Sequence, residues 1–174
     1  MAKKKEEKTN VMRVLEQKNI PYTAHTYPDD GPIDGVSVAN YLHQDVEQVF
    51  KTLVTKAASG NYYVFDIPVA ENLDLKKAAK AVGEKSIAMI PQKELLPLTG
   101  YVHGGCSPVG MKKLFPTVFH ETVVLFDTIC VSAGKIGAQV EVAPQALMEL
   151  LGPKRRTLWW TDGHLIGETT VYAG

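Results

Sequence analysis

Val49-Phe50-Lys51-Thr52-Leu53-Val54-Thr55-Lys56 is the stretch whose reading decides the fold. It is apolar and β-prone. A second such run, Asn61 to Val69, follows after Ala57-Ala58-Ser59-Gly60-Asn61. Two β-prone runs joined by a short loop containing Gly predict a hairpin. Alternation puts Val49, Lys51 and Leu53 on one face of the first strand and Phe50, Thr52 and Val54 on the other. Either arrangement sets a cation amid apolar side chains. An unpaired buried ammonium is costly, so Lys51 is paired, lowered in pKa, or aimed at a cleft. The competing reading is an edge-strand lysine that reaches water along its aliphatic stem.

Elements on either side extend the pattern. Thr9 or Asn10 can cap a helix carrying Val11, Val14 and Leu15, which stops before Pro21. Tyr22 to Tyr27 reads as a strand, Asp29-Asp30-Gly31-Pro32 as a loop, and Ser37 as the cap of a second helix through Leu42, with a further helical turn near Asp45 to Glu47. Asp74 caps a lysine-rich helix with Leu75, Ala78, Ala79 and Val82 on its apolar face and Gly83 just past its end. Ser86 to Ile90 is a short strand, and Pro91 opens a helix through Leu95. Thr117–Phe119, Val123 to Phe126 and Ile129–Ser132 read as buried strands, and Val140 to Val142 as a last strand. Pro144 starts a helix that Gly152 and Pro153 close. Strands and helices without strict alternation predict a single mixed α/β (α+β) domain, with a mostly antiparallel sheet and flanking helices. The expected division is a flexible basic N-terminus over residues 1–10, the domain over 11–152, and a tail over 153–174.

Composition narrows the function. The chain has 174 residues, 45% hydrophobic, with 19 basic and 19 acidic side chains. Zero net charge argues against an arginine-rich coat and against a disordered acidic chain. Charge is nonetheless uneven. Asp29 to Glu47 holds five acids and no Lys or Arg, whereas Asp74 to Lys113 holds seven lysines against three acids, and Lys3 to Lys18 six bases against three acids. These segments are either solvated faces or a positive face for a polyanion. No long apolar run suggests a membrane span or a secretory signal, and two cysteines, Cys106 and Cys130, suit a reducing cytoplasm.

Chemistry concentrates in two further windows. Gly104-Gly105-Cys106-Ser107-Pro108-Val109-Gly110 lets backbone N–H groups approach an anion or oxyanion, or makes a tight bend. It is neither a P-loop nor a dinucleotide fingerprint. Ser132-Ala133-Gly134-Lys135-Ile136-Gly137, after a strand, is a cleft wall or a plain turn. Cys106 as a nucleophile lacks a local base. Five histidines with no H-x-x-x-H pair, and no C-x-x-C, predict no metal and no cofactor, while His103 beside the glycine pair stays of interest.

Five segments in order resemble the YbaK/EbsC family of aminoacyl-tRNA deacylases, relatives of the editing domain of prolyl-tRNA synthetases. They are His25-Thr26-Tyr27, Val49 to Leu53, Asn72 to Lys80, Gly100 to Lys113, and Val131 to Lys135. The resemblance implies hydrolysis of mischarged tRNA, Cys-tRNA(Pro) first and also Cys-tRNA(Cys). Ala-tRNA(Pro) is the alternative within the same chemistry. It makes Lys51 essential, with Gly104 and Gly105 amides on the oxyanion. It places Tyr27, Thr52, Ser107, Pro108, Ser132, Gly134 and Lys135 around the substrate. Lys76, Lys77, Lys80, Lys112 and Lys113 are the expected phosphate contacts. The substrate's own thiol can attack its carbonyl, which removes the need for a protein nucleophile. The partner is the acceptor end of proline tRNA, with prolyl-tRNA synthetase as a second partner, in the cytoplasm. Two other classes stay open: a non-catalytic aminoacyl-tRNA or synthetase-binding module, and a hydrolase using Cys106. The turn departs from the common Ser-Gly-Gly-Lys-Arg-Gly, and Gln139 replaces a common acid.

Overall fold

The computed structural model describes residues 7–151, and the backbone of residues 160–161 and 164–165. The expected tail over 153–174 and residues 1–6 of the basic N-terminus otherwise lie outside the described residues. Helix α1 (Asn10–Gln17) is capped by Thr9, whose hydroxyl accepts from the Met12 amide, and it buries Val11, Met12 and Leu15. Strand β1 (Tyr22–Thr26) follows, then α2 (Gly35–Tyr41). The cap of α2 is Asp34 rather than Ser37: its carboxylate accepts from the Ser37 amide, which sets the helix start earlier than a Ser cap would.

The hairpin forms as read. Strands β2 (Phe50–Ala57) and β3 (Tyr62–Pro68) pair antiparallel, with Lys51 opposite Ile67 and Thr52 opposite Asp66. Helix α3 (Leu75–Ala81) starts at the Asp74 cap. It lays Ala78 and Ala79 on Phe65, Ile87 and Val118. Strand β4 (Ile87–Met89) leads to α4 (Gln92–Thr99). This helix runs past Leu95 through Pro97, because the carbonyl that Pro97 leaves without a donor, at Lys93, lies on an exposed turn.

Strand β5 (Thr117–Phe119) pairs parallel with β3. Val123 to Phe126 is not a strand. A 3-10 helix spans Glu121–Leu125, begun by the His120 ring accepting from the Thr122 amide, and it buries only Val123. Val124 and Leu125 are 61% and 74% exposed, so apolar content alone misled there. Strands β6 (Ile129–Ser132) and β7 (Ala138–Val142) pair antiparallel, and α5 (Pro144–Leu150) follows. Two short strands, β8 (Trp160–Thr161) and β9 (His164–Leu165), pair beyond the expected last strand.

The sheet is divided in two. One part runs β1-β7-β6, the other β4-β2-β3-β5, and every pairing but β3–β5 is antiparallel. A single bridge, Val49 to Cys130, joins them. The main core lies between the parts: Ile129, Val131, Val140 and Val142 meet Phe50, Val54, Val64 and Phe119, with Val11, Leu15 and Leu147 closing it.

Candidate active site

The site follows from how β2 is bordered. Its last residues, Thr55 to Ala57, pair with β4, and just before its start Val49 makes a single backbone bridge to Cys130 of β6. Among the described residues no strand pairs with the outer edge between these two neighbours. The Gln48 carbonyl accepts from Cys130 N and the Val54 carbonyl from Ile90 N, so Thr52, of the same parity, turns its peptide N–H and C=O toward that gap. A cavity of about 500 Å³ fills it. Its walls are Val49 and β2 from Phe50 to Val54, the start of α2, Leu95 of α4, the His103-Gly104 turn with Cys106, and Ser132 and Gln139 from β6 and β7.

Lys51 lines this cavity, half-buried, and burial lowers its pKa while Glu71 pulls the other way. Thr52 lines it from the opposite face of β2, its hydroxyl 2.5 Å from the Asp66 carboxyl. Tyr27 reaches it just past β1, and Ser132 just at the end of β6, its Oγ accepting from the Gly134 amide. Gln139 is held by a reciprocal amide pair with Gln44, at 2.6 and 3.1 Å.

Gly104 also lines the cavity, with φ +87°, and a Cβ there would stand 2.9 Å from Ile33 Cδ1. Gly105 differs from its expectation. Its N–H donates to the Val102 carbonyl, and a Cβ would come within 3.0 Å of the Lys135 and Ile136 backbone. The glycine pair thus lets two loops pack backbone to backbone, and Gly104 is the member that faces the cavity. Ser107 is fully buried, its Oγ accepting from Val109 N. Pro108 is buried too, Gly134 lies under Tyr101 and Val11, and neither they nor Ser107 nor Lys135 line the cavity. These residues build the loops that carry Gly104 and Ser132. Lys76, Lys80, Lys112 and Lys113 are exposed and Lys77 is half-buried, all outside the cavity.

Cys106 is a wall and not a ready nucleophile: burial pushes its thiol up to about 12. Away from the cavity, His25 Nε2 lies 2.9 Å from Glu141 Oε1 in a hydrogen bond, and with Cys130 they place three ligand-type atoms within 4.8 Å of one another. No spacing in the sequence joins these three, since they come from three strands. Asp66 also escaped the sequence reading. An acid inside Tyr62-Tyr63-Val64-Phe65-Asp66-Ile67-Pro68 is the same anomaly that drew attention to Lys51.

Comparison with known proteins gives the family. The family model of the aminoacyl-tRNA editing domain matches residues 34–150. A protein of Enterococcus faecalis, provisionally named the Cys-tRNA(Pro)/Cys-tRNA(Cys) deacylase EbsC, is 45% identical over 152 residues, spanning 86% of this chain and 93% of that protein. Among solved structures, one described provisionally as a trans-editing enzyme for prolyl-tRNA synthetase aligns with TM-score 0.72 at 25% identity, covering 81% of this chain and 88% of that one. A hypothetical protein aligns with TM-score 0.73 at 20% identity, over 80% of this chain and 92% of that one, and so shares the fold. The chain belongs to the aminoacyl-tRNA editing domain family.

Proposed function

We propose that this protein deacylates mischarged tRNA in trans, with Cys-tRNA(Pro) as its main substrate and Cys-tRNA(Cys) as a second. The observation that carries the reading is that Lys51 and Gly104 line one and the same cavity. The name of the 45% identical relative supports the cysteine ester as substrate. The domain performing the reaction spans residues 11–152, works in the cytoplasm, and acts beside prolyl-tRNA synthetase. Among the described residues no helix is long and apolar enough to cross a membrane.

In this reading each group has a task. Lys51 holds the 3′-terminal ribose or phosphate, and its ammonium sits close to where charge develops. The Gly104 amide donates to the carbonyl oxygen as it becomes an oxyanion, a donor whose loss typically costs about 10²–10³ in rate. Tyr27, Ser132 and the Thr52 peptide groups position the aminoacyl end. The substrate thiol attacks its own carbonyl: the S–C bond forms and the ester C–O bond breaks. The thiol proton ends on the departing tRNA hydroxyl, leaving a cyclic thiolactone that water opens. Enclosure in the cavity holds the reactive conformer, which is where proximity contributes. Lys76, Lys77, Lys80, Lys112 and Lys113 contact tRNA phosphates in a salt-sensitive way.

The test is a deacylation time course on one proline tRNA carrying cysteine, alanine or serine in turn. The expected result is fast loss of cysteine alone, since the serine hydroxyl is a far weaker nucleophile and alanine has none. Equal or faster loss of alanine would move the protein to alanine editing. Binding of all three without hydrolysis would make it a binding module.

A further inference from the structure

Asp66 lies across from Thr52 in the β2–β3 pairing and is fully buried. One carboxyl oxygen, Oδ1, is 2.5 Å from the Thr52 hydroxyl. The other, Oδ2, has no hydrogen-bond partner among the described residues. Phe50 and Val54 of β2, Val64 of β3 and Phe119 of β5 flank it on that face, all buried and apolar. From the glycine-rich loop the titratable neighbour is the Cys106 thiol, which Tyr101 in turn adjoins. Of the cations on β2, Lys51 points from the opposite face, and Lys56 is exposed over the Tyr62 ring. His120, next to β5, gives its amide to the Asp66 carbonyl and its ring to Thr122.

A carboxylate in this place would be a buried charge with, among the described residues, one side-chain hydrogen bond and no paired cation. The neutral acid is strongly favoured there. Burial pushes its pKa up to about 7, with the Thr52 hydrogen bond opposing. A protonated carboxyl can donate to Thr52 Oγ1, which frees the threonine O–H for the cavity that Thr52 lines. A carboxylate can only accept, so it takes the threonine proton for itself.

We infer that Asp66 is a positioning residue for the site at Lys51: as the neutral acid it fixes the Thr52 hydroxyl as a donor to the substrate's ester carbonyl, and on ionising it withdraws that donor. This rests on the reading of the cavity as the deacylation site. Thr52 and the Gly104 amide then act on the same oxygen from two sides of the cavity.

Single-turnover deacylation of Cys-tRNA(Pro) from pH 6 to pH 8 on wild type, Asp66→Asn, Asp66→Ala and Thr52→Val tests it. The substrate's thiol and amine titrate alike in every case and cancel in the rate ratios. The ratio of each variant to wild type should rise about tenfold across this range, because only wild type loses its donor through a group titrating near 7. Thr52→Val should show the same ratio change as the Asp66 variants, since Asp66 acts through Thr52. Asp66→Asn, nearly isosteric, carries the test if Asp66→Ala does not fold. Ratios that stay flat with pH would overturn the inference while leaving the deacylase reading intact. So would a change in the Asp66 variants that Thr52→Val does not share. Absence of wild-type deacylation on every aminoacyl-tRNA tried would instead sink the site reading, and this inference with it.

Discussion

Strand β2 carries two lysines five residues apart, and they lead different lives. Lys56 stands where β2 is bordered on both sides, by β3 and β4. It is exposed, and its ammonium lies 5.4 Å from the centre of the Tyr62 ring. Lys51 stands where, among the described residues, no strand pairs with the outer edge; it is half-buried at a cavity, its pKa lowered by that burial. An exposed lysine and a half-buried lysine at a cavity, the two situations weighed for position 51, are thus both present in one strand. A residue's own alternation does not separate them. What separates them is whether a neighbouring strand fills the edge, and that is a long-range fact.

The comparison can be sharpened by substitution. Lys51→Ala should cut single-turnover deacylation of Cys-tRNA(Pro) by about a hundredfold or more, with thermal stability unchanged or raised, because a partly desolvated cation is removed. Gly104→Ala should cost about 1–3 kcal/mol in denaturant unfolding, since its φ is left-handed and Ile33 crowds the new methyl, with a clear loss of rate besides.

Asp66 gives a pH signature in stability. Its folded pKa is raised above the unfolded value, so the folded state binds the extra proton between about 4 and about 7. Stability should therefore fall as pH rises through that window, by up to about 1.4 kcal/mol per pH unit, and level off above it. Urea unfolding at several pH values checks this: relative to wild type, Asp66→Asn should lose this fall, leaving only the slope of the other titrating groups. The smallest effect belongs to Lys56→Ala: loss of an exposed cation–π contact should cost about 0.5–1 kcal/mol or less, with deacylation unchanged.

Much of this was legible before any coordinates. The hairpin, the Asp74 cap, the Thr9 cap and the strand lysine all follow from local pattern, and each appears where the pattern puts it. The errors have physical causes. Val123 to Phe126 is apolar enough for a strand, but His120 starts a tight helical turn there. Gly105 carries a glycine for its contact with the Lys135–Ile136 backbone, which no local window reveals. Gln44 and Gln139 meet across 95 positions of sequence. Asp66 is legible by the rule used for Lys51, as a charged side chain inside an apolar strand.

The account depends most on the claim that the open half of β2, and not its bordered half, does the chemistry. Single-turnover deacylation of Cys-tRNA(Pro) by wild type, Lys51→Ala and Lys56→Ala, measured side by side at one salt concentration, tests it directly. The predicted result is equal rates for wild type and Lys56→Ala, with Lys51→Ala slower by about a hundredfold or more. Equal rates in all three proteins, or a loss in Lys56→Ala as large as in Lys51→Ala, would contradict it.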